Sequence, residues 1–400
     1  MLPILFRSTD QGAPVLNNAA GALISVLDAC LVTGFNSLGV TSLQVVSNVC
    51  TMTTATNHGY QVGQRVLIAG ASTSTLNGDK TVATAPTATT FTFAVTQADG
   101  SETTGSASVK RTPLGWAKEF SGTNKAVYKM TDVASYGQRL RVDDTAGGVD
   151  ARVIGVENPT TVDAYSDAFP TNTQFPGGGY WSRGGNNTTA KFWAIVGDGR
   201  FFYYIVEHSS RNVVYSVTNI GYTGGYFGDI VSFKNGEAYG CIIGGCYSST
   251  NNITAMPVVL QTAVGTDPGT TQFRYICRQH TGIAKSIPTG FAHPGGGSSS
   301  SPSSSSSSYP VYPSPVDNGL VFAEPSFVVE QLTNFGHPIR GVLPGVVQVL
   351  CRYNNLADVL YGETLTASDD SGLKVIVFKG VCSSQSPDSA LALKLSAAWR

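Results

Sequence analysis

The sequence has few charged residues. Asp, Glu, Lys and Arg together make up 13% of its 400 residues, about half of the usual share, and the formal net charge is −1. Proteins that bind nucleic acid or an acidic membrane through charge carry a basic patch or stripe, and this composition does not indicate one. We therefore expect neither a nucleic-acid partner nor a membrane partner.

Long apolar runs are also missing. No stretch approaches the roughly 18 apolar residues that span a bilayer. The first residues, MLPILFRSTDQGAP, lack both the basic start and the long hydrophobic run of a signal peptide. The sequence therefore predicts neither a membrane-spanning helix nor a signal peptide.

The motifs of common catalytic sites are absent too. The chain has no nucleophile elbow, phosphate-binding loop, HExxH sequence or dinucleotide-binding fingerprint. Its five histidines are scattered, with no pair at the spacing of metal ligands. We predict a protein that is not an enzyme, with no catalytic residues, no metal and no cofactor.

The cysteines match no zinc-site spacing, and their number is odd. We interpret them as buried, small apolar residues of a protein made in a reducing cytoplasm, with crosslinking after release from the cell as the alternative. Ile-Ile-Gly-Gly lies between two of them and is interpreted as a turn. The seven are Cys30, Cys50, Cys241, Cys246, Cys277, Cys351 and Cys382.

Glycine is abundant, with 45 residues, and aromatic residues reach 10%. From Trp116 to His293, β-like runs follow one another at short intervals. Tight turns separate them, among them Gly197-Asp198-Gly199 and Asn235-Gly236, the latter a strong hairpin signal. This pattern predicts a mostly β protein whose host domain is a β-sandwich or is barrel-like.

One helix is predicted near the N-terminus. Asn17 or Asn18 is placed to cap it, and Gly34 is placed to end it. Between them, apolar residues recur at helical spacing and define one face. That face comprises Leu23, Ile24, Leu27, Cys30 and Leu31.

Residues 39–111 differ in character from their surroundings. The runs TSLQVVSNVCTMTTAT, GQRVLIAGA and TTFTFAVTQ are rich in β-forming residues, and they predict a compact module of about six strands. The flanking segments FNSLG and TPLGWAKEF read as continuous with each other. We therefore predict that the module is inserted into a host domain made of residues 1–38 and 112–293.

The C-terminal part begins with a segment rich in Ser and Pro, residues 294–316. It is a linker or an extended arm on a neighbouring subunit, and Tyr309 and Tyr312 are its natural anchors because the serines offer little apolar surface. Residues 317–400 contain further β-like runs. These runs either complete the main sandwich or form a separate C-terminal β segment.

The most catalytic-looking stretch is TNHGYQVGQRVLIAGA, residues 56–71. A catalytic histidine needs an orienting partner and a nucleophile or base within reach, and the stretch supplies none locally. We interpret His58 as an exposed turn residue beside Gly59, where a positive φ is required. Arg65, on the next strand, is expected to point to solvent.

Two acidic runs raise the question of calcium-binding loops. Asp143-Asp144, followed by Asp150, lacks the alternating oxygen ligands and the final glutamate of an EF-hand, as does Asp369-Asp370. Acidic residues in glycine-rich turns explain both runs.

The segment GGGYWSRGGNN, residues 177–187, is predicted to be a flexible loop. Tyr180, Trp181 and Arg183 are residue types enriched in binding hot spots. We expect them to form a subunit contact, with stacking on a sugar as the alternative.

Several segments resemble a family of uncharacterised virion-associated proteins of tailed bacteriophages. They are RSTDQGAPVLNNAAGALISVLDACLVTGF, GWAKEFSGTNKAVYK, LRVDDT, ARVIGVE and DAFPTNTQF, and FSGTNKAVY is the most specific part. Many relatives run directly from the helix into the GW block, so the resemblance also implies an insertion. The inserted module resembles a β repeat of phage tail and fibre proteins through NHGYQVGQRVLIAGA and LNGDKTVATA, in which the His-Gly pair is a turn. The resemblance implies no enzymatic role.

Together, these observations predict a structural protein of a tailed-phage virion, assembled in the bacterial cytoplasm and present in many copies. Its partners would be other virion proteins and copies of itself, at the neck, tail or baseplate rather than as capsid decoration. One alternative is a receptor- or glycan-binding module that contacts a host surface glycan through residues 180–183. A less favoured one is a glycan-degrading enzyme, which would need two carboxylates at a defined separation.

Overall fold

The structure is a computed structural model that describes residues 2–103, 106–208, 221–246, 273–292, 316, 322–323, 326–331, 338–349, 363–366, 373–379 and 390–400. Strands account for 49% of it and helical residues for 5%, and one sheet curls into a half-barrel. The prediction of a mostly β, sandwich- or barrel-like fold with one N-terminal helix is confirmed.

The N-terminal part contains strand β1 (Ile4–Arg7) and helix α1 (Ala22–Leu27), which continues as a π-helical segment, Asp28–Thr33. The helical segment ends at Gly34, as predicted, and the φ of Gly34, 73°, lies in the left-handed region. All five side chains of the predicted apolar face are buried. The spacing of the apolar residues therefore identified the packed face of the helix.

The start of the helix differs from the prediction. Gly21 is the N-cap residue, and no side chain within the helix caps the first turn. Asn17 instead accepts a hydrogen bond from the backbone N–H of Ala19, at 3.0 Å, so it belongs to a turn before the helix. The first-turn donors are satisfied by a distant residue, Asp144, and a local capping rule cannot identify such a partner.

The next eight strands form a sheet of their own. They are β2 (Leu38–Val46), β3 (Val49–Thr54), β4 (Arg65–Ala69), β5 (Gly78–Thr81), β6 (Thr84–Thr87), β7 (Thr90–Ala94), β8 (Gly100–Thr103) and β9 (Ser108–Arg111). Their order in the sheet is β5-β4-β9-β2-β3-β7-β6, with β8 paired to β2. The sheet encloses a separate hydrophobic core that includes Leu43, Met52 and Phe91.

Two features of this sheet are an internal hairpin turn and the pairing of its entry and exit strands. The run TSLQVVSNVCTMTTAT is split by Ser47-Asn48, whose φ values of 52° and 63° make a two-residue hairpin turn between β2 and β3. Leu38 on β2 pairs with Val109 on β9, so the chain enters and leaves side by side. An insertion at a loop requires such a geometry, and the insertion itself remains a prediction.

A six-stranded sheet follows. Its strands are β10 (Ala117–Gly122), β11 (Lys125–Lys129), β12 (Arg139–Asp143), β13 (Asp150–Glu157), β14 (Ser166–Phe169) and β15 (Gly179–Ser182). Tyr128 on β11 donates a hydrogen bond to Asp28 in the helical segment, at 2.8 Å. The sheet and the helix share one hydrophobic core.

The largest sheet has ten strands. Besides β1 they are β16 (Trp193–Gly197), β17 (Phe201–His208), β18 (Gly221–Asp229), β19 (Val231–Ser232), β20 (Cys241–Gly245), β21 (Phe273–Arg278), β22 (Lys285–Ala292), β24 (Phe327–Glu330) and β25 (Ile339–Val342). Their order is β1-β16-β17-β18-β20-β21-β22-β24-β25-β19. The hairpin predicted at Gly197-Asp198-Gly199 joins β16 to β17 and is confirmed.

Two local predictions in this sheet are wrong. Asn235-Gly236 does not close a simple hairpin, because β18 pairs with β20 while β19 leaves to pair with β25. The Ile-Ile-Gly-Gly segment lies within strand β20 and is not a turn. In both cases pairing with strands distant in sequence overrides the local glycine signal.

The C-terminal region contributes to two sheets. Strands β24 and β25 extend the ten-stranded sheet, whereas β23 (Phe322–Ala323), β26 (Val346–Val349), β27 (Glu363–Thr366), β28 (Lys374–Lys379) and β29 (Ala390–Lys394) form a five-stranded one. Strand β17 shows how the layers pack: Phe202 and Tyr204 face the core shared with the helix, and Phe201 and Tyr203 face the core shared with the five-stranded sheet. The ten-stranded sheet is therefore covered on both faces.

Candidate functional site

The segment expected to be a flexible binding loop is largely a strand. Trp181 lies on β15, which pairs with β13, and its side chain is fully buried. Its indole N–H donates to the carbonyl of Gly244 at 2.9 Å, and its ring stacks on Tyr204 with 5.6 Å between centroids. The expectation of a loop is thus corrected, and the buried indole offers no platform for stacking on a sugar.

Arg183 follows β15 and is also fully buried. One of its terminal nitrogens lies 2.7 Å from Asp144 Oδ1 and 2.9 Å from the carbonyl of Ala19, and the other lies 2.6 Å from the carbonyl of Ala146. A guanidinium group carries five N–H donors, so it can form several hydrogen bonds to carboxylate and carbonyl oxygens at once. Arg183 therefore ties the start of the helix to the loop after β12.

Asp144 completes this connection. Its Oδ2 accepts a hydrogen bond from the backbone N–H of Leu23 at 2.9 Å, which makes it the cap of the helix. Burial raises the pKa of Asp144 to about 6, although Arg183 and the helix N–H groups oppose the shift. The acidic run around Asp144 thus includes an internal structural anchor, which the interpretation as a glycine-rich turn did not predict.

Tyr180 is the one residue of the predicted trio that is only half-buried. The Arg152 guanidinium carbon lies 3.9 Å from the centre of the Tyr180 ring, so the two form a cation–π pair at the surface. A contact with another molecule at Tyr180 remains a prediction. Tyr309 and Tyr312, the proposed anchors of the arm, lie outside the described residues.

His58 is buried rather than exposed, which corrects the sequence interpretation. Its Nδ1 accepts from the backbone N–H of Tyr60 at 2.9 Å, and its Nε2 lies 3.1 Å from the carbonyl of Thr87 and 3.2 Å from that of Thr90. These partners require an N–H at Nε2 and a bare Nδ1. The imidazole bridges three backbone segments of the module and holds a turn.

The neighbours of His58 agree with a structural role. Gly59 has a φ of 59°, the left-handed conformation expected for the turn. Arg65 is mostly buried, and its guanidinium forms an ion pair with Asp79 on the adjacent strand instead of pointing to solvent.

A buried charge network near strand β19 was not found from the sequence. Arg340 on β25 pairs with both Glu330 and Glu237, and all three side chains are buried. Burial alone would raise the pKa of Glu237, but hydrogen bonds from Arg340 and from the backbone lower it overall. His280 Nδ1 lies 2.8 Å from Glu330, at the surface end of the network.

Five cysteines lie in the described part of the chain, and all five are buried and free of disulfides. Burial and the carboxylate of Glu157 raise the pKa of Cys277, whose thiol donates to Glu157 at 2.8 Å. Burial likewise raises the pKa of Cys30. A thiol with a raised pKa is a poor nucleophile. Cys351 and Cys382 lie outside the described residues.

Within the described ranges, no three His, Cys, Asp or Glu side chains come together as metal ligands. No helix in the same ranges has the length and apolar character needed to cross a membrane. A comparison of the chain with protein-family models and with curated protein sequences found no match.

Proposed function

We propose that the protein is a multicopy structural subunit of a tailed-bacteriophage particle and acts through contacts between subunits. We favour a place in the neck, tail or baseplate over one in capsid decoration, because of the resemblance of residues 39–111 to a tail and fibre repeat. The observation that carries the proposal is an exposed apolar strip along the last strand of the ten-stranded sheet.

This strip, which we call the β19 edge, consists of strand β19 with Phe233, Ile283 and Ile339. These three side chains are exposed by 60%, 82% and 49%. Phe233 follows β19 directly. The Lys234 ammonium donates a hydrogen bond of 2.7 Å to the carbonyl of His280, and this bond holds the turn that contains Ile283 beside β19. Edge strands with exposed apolar side chains are sites of pairing with other chains.

The β19 edge is supported from behind. Arg340 lies on the neighbouring strand, and its ion pairs with Glu330 and Glu237 are buried. The backbone N–H of Phe233 donates to the carbonyl of Arg340 at 2.9 Å. A surface held in this way loses little conformational freedom when a partner binds, and this favours association.

Self-association tests the proposal. We expect the purified protein to form oligomers in sedimentation velocity, and we expect Phe233→Glu to weaken this association at least about tenfold, because a charge would be buried in the contact. The matched control is Val133→Glu, since Val133 is a fully exposed valine that is not part of the β19 edge. A monomeric wild type, or equal effects of the two variants, would contradict the role of the β19 edge.

The phage assignment needs a separate measurement. We expect mass spectrometry of purified phage particles to find the protein and cryo-electron microscopy to place it in a symmetric, multicopy position. If the protein is absent from the particles, the virion role is wrong even where self-association at the β19 edge is found.

A further inference from the structure

A cleft opens where three separate parts of the chain meet. Residues 2–5 around strand β1 form one wall, residues 61–65 of the module form the second, and Lys374 and Leu395 of the five-stranded sheet line the third. Its volume is about 340 Å³, at the lower end of the range typical of small-molecule sites. It shares no residue with the β19 edge.

The cleft has an excess of positive charge. Its lining includes four basic side chains, Arg7, Arg65, Arg111 and Lys374, against a single acidic one, Asp10. Asp79 neutralises Arg65 from outside the lining, which still leaves basic groups in excess. Clefts with charge of one sign and walls of low dielectric concentrate ions of the opposite sign. The charge therefore selects an anion.

Arg111 gives the cleft a fixed positive charge. Its side chain is almost fully buried, and its terminal nitrogens donate to the carbonyls of Arg65 at 3.0 Å and Leu5 at 2.7 Å. Asp10 is 3.6 Å away, and Nε has no hydrogen-bond partner in the part of the chain that the structure describes. A buried cation whose donors are incompletely satisfied is stabilised by a nearby anion.

The rim of the cleft adds an apolar element. Leu2 and Val62 belong to two different walls of the cleft, and they are exposed by 50% and 65%. Lys374, also in the lining, is exposed. A ligand that enters therefore meets apolar groups and an exposed ammonium group together.

We propose that this cleft binds a carboxylate that carries a short apolar group. The basic side chains contact the carboxylate, and Leu2 and Val62 cover the apolar part. Two sources supply this chemistry: a free small carboxylic acid, or an acidic side chain flanked by apolar residues on a partner protein. In either case the ligand would join the first strand, the module and the five-stranded sheet.

Titration of the full-length protein with matched probes tests this inference. The probes are hexanoate with its neutral counterpart hexanamide, and a blocked Leu-Glu-Leu tripeptide with its Leu-Gln-Leu counterpart, followed by NMR shifts. We expect at least one carboxylate probe to bind with a Kd of about 1 mM or tighter, and its neutral counterpart to bind at least about tenfold more weakly. Whichever carboxylate binds more tightly identifies the source.

Two variants check the location. Lys374→Glu should weaken carboxylate binding at least about tenfold by reversing a charge at the cleft. Lys285→Glu is the control, because Lys285 is an exposed lysine outside both the cleft and the β19 edge, and it should leave binding unchanged. Equal binding of charged and neutral probes, no binding of either carboxylate, or equal effects of the two variants would overturn the proposal.

Discussion

Asp144 and Arg183 form an ion pair inside the protein, with Asp144 Oδ1 2.7 Å from the nearest Arg183 nitrogen and both side chains completely buried. The pair lies at the start of helix α1, because Asp144 also accepts the N–H of Leu23. The stability of the helix therefore depends on residues far along the chain.

The pH dependence of stability reports on Asp144. Burial raises its pKa to about 6 from the ordinary value of 3.8. A carboxyl whose pKa is raised on folding stabilises the protein fully below the unfolded pKa, and this contribution is lost as the pH rises through the folded pKa. Between about pH 4 and pH 7, the wild type should lose about 3 kcal/mol of unfolding free energy relative to Asp144→Asn. Urea unfolding across this range measures the difference, and a constant difference would refute the shift.

Removal of Arg183 should be costly near neutral pH. Arg183→Met leaves the Asp144 carboxylate buried without its cation, and such a loss costs about 3–5 kcal/mol of unfolding free energy. The double variant with Asp144→Asn should recover part of this loss, as a double-mutant cycle at pH 7.5 will measure. Arg152→Met is the control, because Arg152 forms a surface cation–π pair, and it should cost about 1 kcal/mol or less. Similar losses for the two arginine variants would show that the buried pair is not a major source of stability.

Two other buried arginines should respond in opposite ways. Arg340→Met leaves Glu330 and Glu237 buried without their cation, and it should cost about 3–5 kcal/mol of unfolding free energy. Arg274 is equally buried but has no carboxylate partner among the described residues; the Phe291 ring lies 5.0 Å from its guanidinium carbon. Burial lowers the pKa of Arg274, so Arg274→Met should leave stability unchanged or increase it. Chemical denaturation of both variants decides this, and a large loss in Arg274→Met would indicate an anionic partner.

The insertion hypothesis can be tested at the paired entry and exit strands. Gly39 pairs with Ser108, so an Asn-Gly turn can replace residues 40–107 and close β2 onto β9. This variant keeps Arg111, which bonds to the carbonyl of Leu5. We expect a soluble protein with one cooperative thermal transition. An insoluble or non-cooperative product would mean that the module shares the core of its host.

The sequence predicted those features that depend on local periodicity. The apolar face of the helix, its end at Gly34 and the hairpin at residues 197–199 all follow from spacing and glycine conformation. The start of the helix does not, since its cap is 121 positions away in sequence from Leu23. Strand β19 likewise pairs with β25 against its local turn signal, because the pairing is set by the sheet as a whole.

The candidate site was harder to predict for the same reason. Arg183 stands in a glycine-rich, polar segment, and such segments are usually exposed. Its burial results from packing between β15, the helix and the loop after β12, which sequence spacing does not reveal. His58 was correctly interpreted as a turn residue, but two of its three backbone partners, Thr87 and Thr90, lie in strands β6 and β7, which only the folded module brings to it.

The dependence of the helix on Asp144 and Arg183 also sets an order of events during synthesis. Arg183 is 164 residues downstream of Ala19, the carbonyl of which it binds. At a translation rate of about 5–20 residues per second, the ribosome needs roughly 8–33 s to reach Arg183 after it has added Ala19. Asp144 and strands β10–β13 are made before Arg183, so the apolar face around Leu23 and Leu27 lacks both its cap and this sheet during the first part of the interval. The nascent chain is then most exposed to aggregation and to capture by chaperones, well before its synthesis is complete.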